Sequence, residues 1–260
     1  PAPVFSLFMR RILVTNDDGY FSPGIQALAE ALKPFGEVTI VAPQTEASAV
    51  GHALTLRRPL RFEAIAPGVW AVDGTPTDCV NIALSQLYPD GLDLIVSGIN
   101  KGLNIGDDVT YSGTVAGALE GALLGYQAVA FSLEQGPGGY DFGRAAAIAA
   151  DVVASVLEDP LPVRSFLNVN VPVGTPRGIR VTVQARRNHI TKIARRIDPR
   201  GLPYFWVEEA QDDWQPHDRS DYQAIRDGFV SITPLQPDMT DHSLLDRLEG
   251  LTSRVRAEVR

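Results

Sequence analysis

Cysteine is almost missing from this chain, and so are long apolar runs. The single cysteine, Cys79, excludes an intramolecular disulfide and a metal cluster built on cysteines, so a reducing compartment is expected. No segment is long and apolar enough to cross a bilayer, and the short apolar stretch at the N-terminus precedes its positive charges instead of following them. The sequence therefore predicts a cytoplasmic protein with no membrane partner.

Positive charge is also scarce. The chain has 23 Lys and Arg against 31 Asp and Glu, which gives a net charge of −8 and a pI near 5.0. A negative field of this kind works against binding long nucleic acids, which normally requires a basic stripe. A small anionic substrate is compatible with this charge only where a cation lies in the site itself, and this requirement points to a bound metal ion.

The length of 260 residues is near the upper limit that one hydrophobic core serves. A composition of 45% hydrophobic and 21% charged residues is that of an ordinary globular protein. Met9 is expected to be the natural start, which makes residues 1–8 an N-terminal extension. Residues 9–260 are predicted to form a single domain.

Strand and helix patterns alternate along the chain. A strand at 12–15 is followed by Ser22 as an N-cap and Pro23 at the first helical position, and then by a strand at 38–42. Later strands are predicted at 92–97, 128–132, 167–171 and 179–183, and later helices are predicted to start at Thr75, Thr114 and Asp141. This alternation predicts an α/β fold with a doubly wound, mainly parallel, Rossmann-like sheet.

The last quarter of the chain has a different pattern. Residues 186–218 are rich in Arg, Pro and Trp and lose the helical period, which favours extended β-hairpins that project from the core. A terminal amphipathic helix is predicted from five apolar residues at helical spacing: Leu244, Leu245, Leu248, Leu251 and Val255. Such a helix packs on its own domain or on a partner subunit.

The motif Asn16-Asp17-Asp18-Gly19 ends the first predicted strand. Its residue types also favour an ordinary turn, so the motif alone does not specify a site. Ligands of doubly wound sheets, however, bind beyond the carboxyl ends of the strands. Two adjacent carboxylates repel each other there unless a hard cation lies between them, and oxygen ligands suit Mg²⁺ or Mn²⁺ rather than Zn²⁺.

Two further segments follow predicted strand ends. Ser48 and His52, which follow the strand at 38–42, are either ordinary loop residues or site residues. A serine hydroxyl is a weak metal ligand, which is useful only beside carboxylates. After the strand at 92–97, Gly98 and Asn100 begin a long polar loop, in which Asn100 offers oxygen to a metal or an amide to phosphate. The turn Ser112-Gly113-Thr114 then opens a helix, whose N-terminal amides form an anion site.

Taken in order, these motifs resemble the SurE family of stationary-phase survival nucleotidases. The resemblance extends from Met9 to about Thr240. Two departures, Ala49 in place of glycine and Ser220 in place of threonine, remove no ligand. The motifs that carry the resemblance are Asn16-Asp17-Asp18-Gly19, Ser48, Gly74-Thr75-Pro76-Thr77-Asp78-Cys79-Val80, Ser97-Gly98-Ile99-Asn100, Tyr111-Ser112-Gly113-Thr114-Val115-Ala116, Pro199-Arg200-Gly201, Ser220-Asp221-Tyr222 and Phe229-Val230-Ser231-Ile232-Thr233-Pro234-Leu235.

The resemblance implies a divalent-metal-dependent phosphatase, a 5′- and 3′-nucleotidase that also acts on other phosphate esters and on short-chain polyphosphate. It implies one Mg²⁺ or Mn²⁺ per subunit. The implied metal ligands are Asp17, Asp18, Ser48 and Asn100. The implied phosphate contacts are Asn16, Gly98, Asn100, Ser112, Gly113 and Thr114. The family's hairpins and C-terminal segment exchange between subunits, so a homodimer or homotetramer is expected and residues 186–260 are assigned to oligomerisation.

The mechanistic hypothesis is in-line attack on phosphorus by a metal-activated water, with Asp17, Asp18 and Asn100 as the catalytic residues. The general base is left open, with Asp17 as one candidate, and His52 is a candidate to support the ligands. A haloacid-dehalogenase-type phosphatase would need aspartates spaced i and i+2, whereas here they are adjacent. A receiver-like signalling module would need an acceptor aspartate where this chain has residues 97–100.

Overall fold

The computed structural model describes residues 9–187, 192–208 and 214–252. The strands are β1 (Arg10–Thr15), β2 (Gly36–Pro43), β3 (Phe62–Ala66), β4 (Val69–Val72), β5 (Leu94–Lys101), β6 (Gln127–Leu133), β7 (Phe166–Val171), β8 (Ile179–Val181), β9 (Lys192–Ile197), β10 (Pro203–Glu208) and β11 (Val230–Leu235). The helices are α1 (Pro23–Leu32), α2 (Pro76–Gln86), α3 (Gly113–Leu123), α4 (Phe142–Glu158), α5 (Asp221–Arg226) and α6 (Leu245–Thr252). Residues 1–8, the predicted extension, lie outside this description.

Within these ranges, nine strands form one sheet in the order β3-β4-β2-β1-β5-β6-β7-β11-β8. Strands β4, β2, β1, β5, β6 and β7 are parallel, while β3 and β11 run antiparallel to their neighbours β4 and β7. The chain moves from β1 to β2 and β4 on one side, and then returns to β5 on the other side of β1. The predicted doubly wound, mainly parallel α/β fold is confirmed, and its topological switch point lies between β1 and β5.

Helices cover both faces of the sheet, which explains the uninterrupted apolar run Ile12-Leu13-Val14 in the central strand β1. In β1, Ile12 and Val14 pack on one face with residues of α1 and α4, whereas Leu13 packs on the other face with residues of α2 and α3. Strands buried on both faces have continuous apolar runs instead of an alternating pattern. Cys79 is fully buried in the second of these clusters, where it contributes to packing.

Four predicted helix starts are confirmed by side-chain caps. Ser22 accepts a hydrogen bond from the Ile25 N–H at the start of α1, and Thr75 forms a complete capping box with Asp78 at α2. Ser112 caps α3 and Asp141 caps α4 in the same way. The caps at Ser22, Thr75 and Asp141 are local in sequence and were predicted from it, whereas α3 was predicted from Thr114 and begins one residue earlier, at Gly113.

The structure differs from the predicted elements at the end of β5. The strand continues to Lys101, with an irregularity in its pairing to β6 between Ser97 and Asn100, so residues 98–101 belong to the strand and not to the predicted loop. Gly98 has φ +134°, and a Cβ there would lie 2.4 Å from the Phe131 carbonyl oxygen of β6. Only glycine fits this backbone, so the glycine marks an irregular strand.

The C-terminal part contains the predicted hairpin and helix. Strands β9 and β10 form a separate antiparallel pair, and α6 covers the first part of the predicted terminal helix. Val255, which the prediction included, lies outside the described residues. No described helix is long and apolar enough to span a membrane.

Candidate active site

The acidic pair directly follows β1, at the topological switch point. Asp17 and Asp18 are only 5% and 6% exposed. The side-chain amide of Asn16 donates to the Gly19 carbonyl oxygen and to Ser22 Oγ, each at 3.0 Å. Asn16, predicted to contact phosphate, thus uses its amide nitrogen to join the acidic turn to the N-cap of α1.

Asp17 lies against the first turn of α3. The Thr114 hydroxyl donates to Asp17 Oδ1, and a Cβ on Gly113 would lie 2.8 Å from the Asp17 Cβ. Burial raises the pKa of Asp17 to about 6; the Thr114 hydrogen bond opposes this rise and the charge of Asp18 adds to it. Because glycine leaves room, the helix N-terminus and the carboxylate are in direct contact.

Asp18 faces the end of β5. Its Oδ2 accepts the Lys101 backbone N–H at 3.3 Å, and the Lys101 ammonium lies 3.6 Å from Oδ1. Burial raises the pKa of Asp18, and the positive charge of Lys101 opposes that rise. Lys101 was not among the predicted site residues. The sequence offered one indication of a role for Lys101: it directly follows Asn100, a predicted site residue, at the end of the same strand.

Asn100 lies beside this contact, half-buried near the end of β5. Its amide nitrogen donates to the Gly102 carbonyl oxygen at 2.9 Å, which leaves the amide oxygen as the group that can serve as a ligand. Gly98 packs against β6, as described above, and shapes the irregular strand that carries Asn100.

The side chains at the start of α3, which the sequence predicted to contact phosphate, form hydrogen bonds within the protein. Ser112 Oγ accepts the Val115 N–H at 3.0 Å, and the Thr114 hydroxyl is bonded to Asp17. The N–H groups of Gly113 and Thr114 belong to the first helical turn, where no carbonyl of the helix itself can accept them. The Thr114 N–H interacts with the Asp17 carboxylate, so the turn places the Gly113 amide and the positive end of the helix beside the acidic pair.

The segment after β2 reaches the site mainly through its backbone. The Ala47 N–H donates to the Asp17 carbonyl oxygen at 2.7 Å. The Ser48 side chain is exposed, and its hydroxyl donates to Glu46 Oε1 at 2.9 Å instead of to the acidic pair. The role of Ser48 as a metal ligand stays a prediction.

His52 joins this segment to the helices. Its Nε2 lies 2.6 Å from Glu120 Oε2, and the Asn81 amide donates to Glu120 Oε1 at 2.6 Å. Burial would raise the pKa of Glu120, but the hydrogen bonds from His52 and Asn81 hold it below its usual value. The histidine therefore anchors the segment that carries Ser48 to α3.

The side chains around the acidic pair offer mainly oxygen atoms as ligands for a divalent ion. Across residues 9–187, 192–208 and 214–252, no three His, Cys, Asp or Glu side chains are grouped to hold a metal. Two carboxylates with neutral oxygens are nevertheless what Mg²⁺ commonly uses, since it keeps several waters and substrate oxygens. Asn16 Oδ1, next to the acidic pair in the chain, is buried and has no hydrogen-bond partner within the protein, so its acceptor capacity is not used. The residues fit Mg²⁺ or Mn²⁺.

The fold and the site define a doubly wound α/β protein with an acidic, oxygen-lined site at its topological switch point. Within this class, the chain belongs to the SurE family: the family model described as "Survival protein SurE" matches residues 12–191.

Full-length relatives agree with the family match. A protein of Pelobacter propionicus is 51% identical over 89% of this chain and 95% of its own length, and one of Syntrophotalea carbinolica is 49% identical over 88% and 92%. Both relatives are named 5′-nucleotidase SurE. The crystal structure of the SurE protein from Aquifex aeolicus superposes with a TM-score of 0.84 at 41% identity, covering 93% of this chain and 99% of that chain.

Proposed function

We propose that this chain is a divalent-metal-dependent nucleotidase that hydrolyses 5′- and 3′-nucleoside monophosphates to nucleoside and phosphate. The observation that carries the proposal is the buried pair Asp17 and Asp18, flanked by the Lys101 ammonium and by the first turn of α3. The names of the relatives support the same activity. Short-chain polyphosphate, which contains the same phosphoryl group, is a second proposed substrate.

The residues proposed to hold the ion are Asp17, Asp18, Asn100 through its amide oxygen, and Ser48. When bound, Mg²⁺ or Mn²⁺ supplies Lewis-acid polarisation of the phosphate and an acidified water. Ser48 must turn its hydroxyl from Glu46 to take part.

The protein itself provides positive charge and hydrogen-bond donors around the phosphate. The Lys101 ammonium lies at the acidic pair, where it can pair with a phosphate oxygen as well as with Asp18. The Gly113 amide, in the first turn of α3, lies against Asp17 and costs no reorganisation when charge develops, whereas the Thr114 amide is used by the Asp17 carboxylate. Thr114 also fixes Asp17 by its hydrogen bond, so the carboxylate is oriented before substrate arrives.

The experiment measures phosphate release from nucleoside 5′- and 3′-monophosphates and from tripolyphosphate, with Mn²⁺, with Mg²⁺ and with EDTA. We expect metal-dependent turnover that falls by more than about 100-fold in Asp17→Asn, because even residues that only support metal ligands cost about 10- to 100-fold. Asp151→Asn is the matched control, because this carboxylate is exposed on α4.

Two results would contradict the proposal. Turnover that is unchanged by EDTA would remove the metal from the mechanism. Full activity of Asp17→Asn with metal present would show that the acidic pair is not the site.

A further inference from the structure

A cavity of about 320 Å³ lies beyond the carboxyl ends of β6 and β7. Leu133, the last residue of β6, is at its base, and Tyr140, Pro172 and Val173 line its walls. The volume is within the roughly 300–1,000 Å³ of ligand pockets. Neither the acidic site nor its predicted residues account for this cavity.

The cavity begins about one strand away from the acidic site. The Gly102 N–H donates to the Leu133 carbonyl oxygen at 2.9 Å, and Lys101 is paired with Leu133 in the sheet. Lys101 in turn contacts Asp18. Because neighbouring strands are roughly 5 Å apart, a molecule whose phosphate lies at Asp18 reaches the cavity with the group attached to that phosphate.

We propose, on the basis of the nucleotidase function above, that this cavity binds the nucleoside of the substrate. The ribose lies at Glu134, which directly follows β6, and the base lies farther on, against Tyr140. The phosphate then lies at the end of β5, the ribose at the end of β6, and the base at the segment that connects β6 to α4.

The polar groups of the cavity fit a neutral nucleoside better than a second phosphate. Glu134 Oε2 accepts the Val173 N–H at 2.9 Å, and its carboxylate can also accept hydroxyl hydrogens, the contact that acidic residues make with ribose in doubly wound folds. Arg144 is paired with Asp141, the N-cap of α4, so its charge is already balanced. A carboxylate and a balanced arginine do not attract phosphate.

The apolar walls are held in place before any ligand binds. The Tyr140 ring stacks on Phe142, with ring centroids 5.6 Å apart and an interplanar angle of 21°. Gly136 and Gly139 exchange two backbone hydrogen bonds of 3.0 Å, which closes the turn at the rim. A fixed aromatic face and a closed rim are suited to stacking a planar base.

The test compares adenosine 5′-monophosphate with phenyl phosphate, which shares the phosphate but has no nucleoside. Val173→Trp fills the cavity and Tyr140→Ala removes the proposed stacking face. We expect the ratio of kcat/KM for the nucleotide to kcat/KM for phenyl phosphate to fall roughly 10- to 100-fold in both variants. Val163→Trp is the matched control, because Val163 is exposed just before the amino end of β7, whereas the cavity lies beyond the carboxyl end of that strand.

The position of the ribose has a separate test. The wild-type protein should have a higher kcat/KM for adenosine 5′-monophosphate than for its 2′,3′-dideoxy analogue, and this difference should disappear in Glu134→Ala. If Glu134→Ala instead lowers kcat/KM by the same factor for both nucleotides, the ribose assignment is wrong.

The outcomes separate this inference from the proposed function. Wild-type turnover of both esters with an unchanged ratio in Val173→Trp and Tyr140→Ala would overturn the nucleoside cavity and leave the nucleotidase in place. An inactive wild-type protein, with every metal and both esters, would overturn the nucleotidase itself.

Discussion

At the scale of single residues, Asp17 is placed where its charge opposes folding. Its pKa is raised from 3.8 to about 6, chiefly because it is buried. The native state therefore binds the Asp17 proton more tightly than the unfolded state does, and the free energy of unfolding falls as the pH rises from about 4 to above 6. Two pKa units correspond to roughly 3 kcal/mol.

We therefore predict that Asp17→Asn stabilises the metal-free protein. At pH 8 with EDTA, its free energy of unfolding in urea should exceed that of the wild type by roughly 2–3 kcal/mol, and the difference should shrink toward pH 4. The same substitution is expected to lower the proposed activity by more than about 100-fold, so the proposal predicts a conflict between function and stability at this residue. Asp151→Asn serves as the control, and a variant less stable than the wild type at pH 8 would contradict the prediction.

Site residues were predictable from sequence where the signal was local. The paired aspartates and the Ser112-Gly113-Thr114 turn are each contained in one short motif, so the sequence drew attention to them without knowledge of the fold. The capping role of Ser112 was not predicted, because the helix was expected to start at Thr114. The contact between Lys101 and Asp18 joins residues 83 positions apart, and only the pairing of β1 with β5 brings them together. The bond of Ser48 to Glu46 depends on the path of a loop, which motif spacing does not determine.

At the scale of elements, the closeness of α3 to β1 depends on Gly113. A Cβ at this position would lie 2.9 Å from Asp17 Oδ2, so Gly113→Ala must push the first turn of the helix away from the carboxylate. We expect kcat/KM for nucleotides to fall roughly 10- to 100-fold, since a displacement of about 1 Å at a reacting site has an effect of that size.

The control for this prediction is Gly143→Ala in the first turn of α4. There the nearest atom to an added Cβ is Asp141 Oδ1 at 3.8 Å, so the methyl group has room. This variant should keep wild-type kcat/KM and gain up to about 1 kcal/mol of stability from helix propensity. Equal kcat/KM in the two variants would show that the spacing between α3 and Asp17 does not matter.

Elements were predictable where their patterns were regular. The central parallel strands and the capped helices were found because they are long, apolar and bounded by caps. The edge strand β3 and its neighbour β4 were missed because they are short and partly exposed, with little alternation. In β11, Pro234 lies within the strand, where proline normally argues against one.

At the scale of the whole molecule, the hairpin of β9 and β10 lacks a core of its own. Trp206 is 59% exposed, and Phe205, Val207 and Ile193 are exposed as well. A two-stranded hairpin is marginally stable by itself in water, and an apolar surface of this kind indicates an interaction site. We propose that this hairpin packs against another copy of the chain in a homodimer or homotetramer.

The prediction for assembly is that Trp206→Asp lowers the molar mass measured by light scattering at micromolar concentration. Val163→Asp changes a valine that is 79% exposed on the main domain, and this variant should keep the mass of the wild type. A wild-type mass that already equals one chain, or a Trp206→Asp variant with unchanged mass, would contradict the proposed interface.

The two parts of the proposed substrate site come from separate stretches of the chain. Every residue proposed to bind metal or phosphate lies between Asn16 and Thr114, whereas the cavity beyond β6 and β7 is built from residues 133–174. The residues proposed for hydrolysis and the residues proposed for nucleoside binding are therefore encoded by two successive blocks of the gene. Mutation or recombination within the second block can diversify substrate preference across descendants while the acidic motif is passed on unchanged.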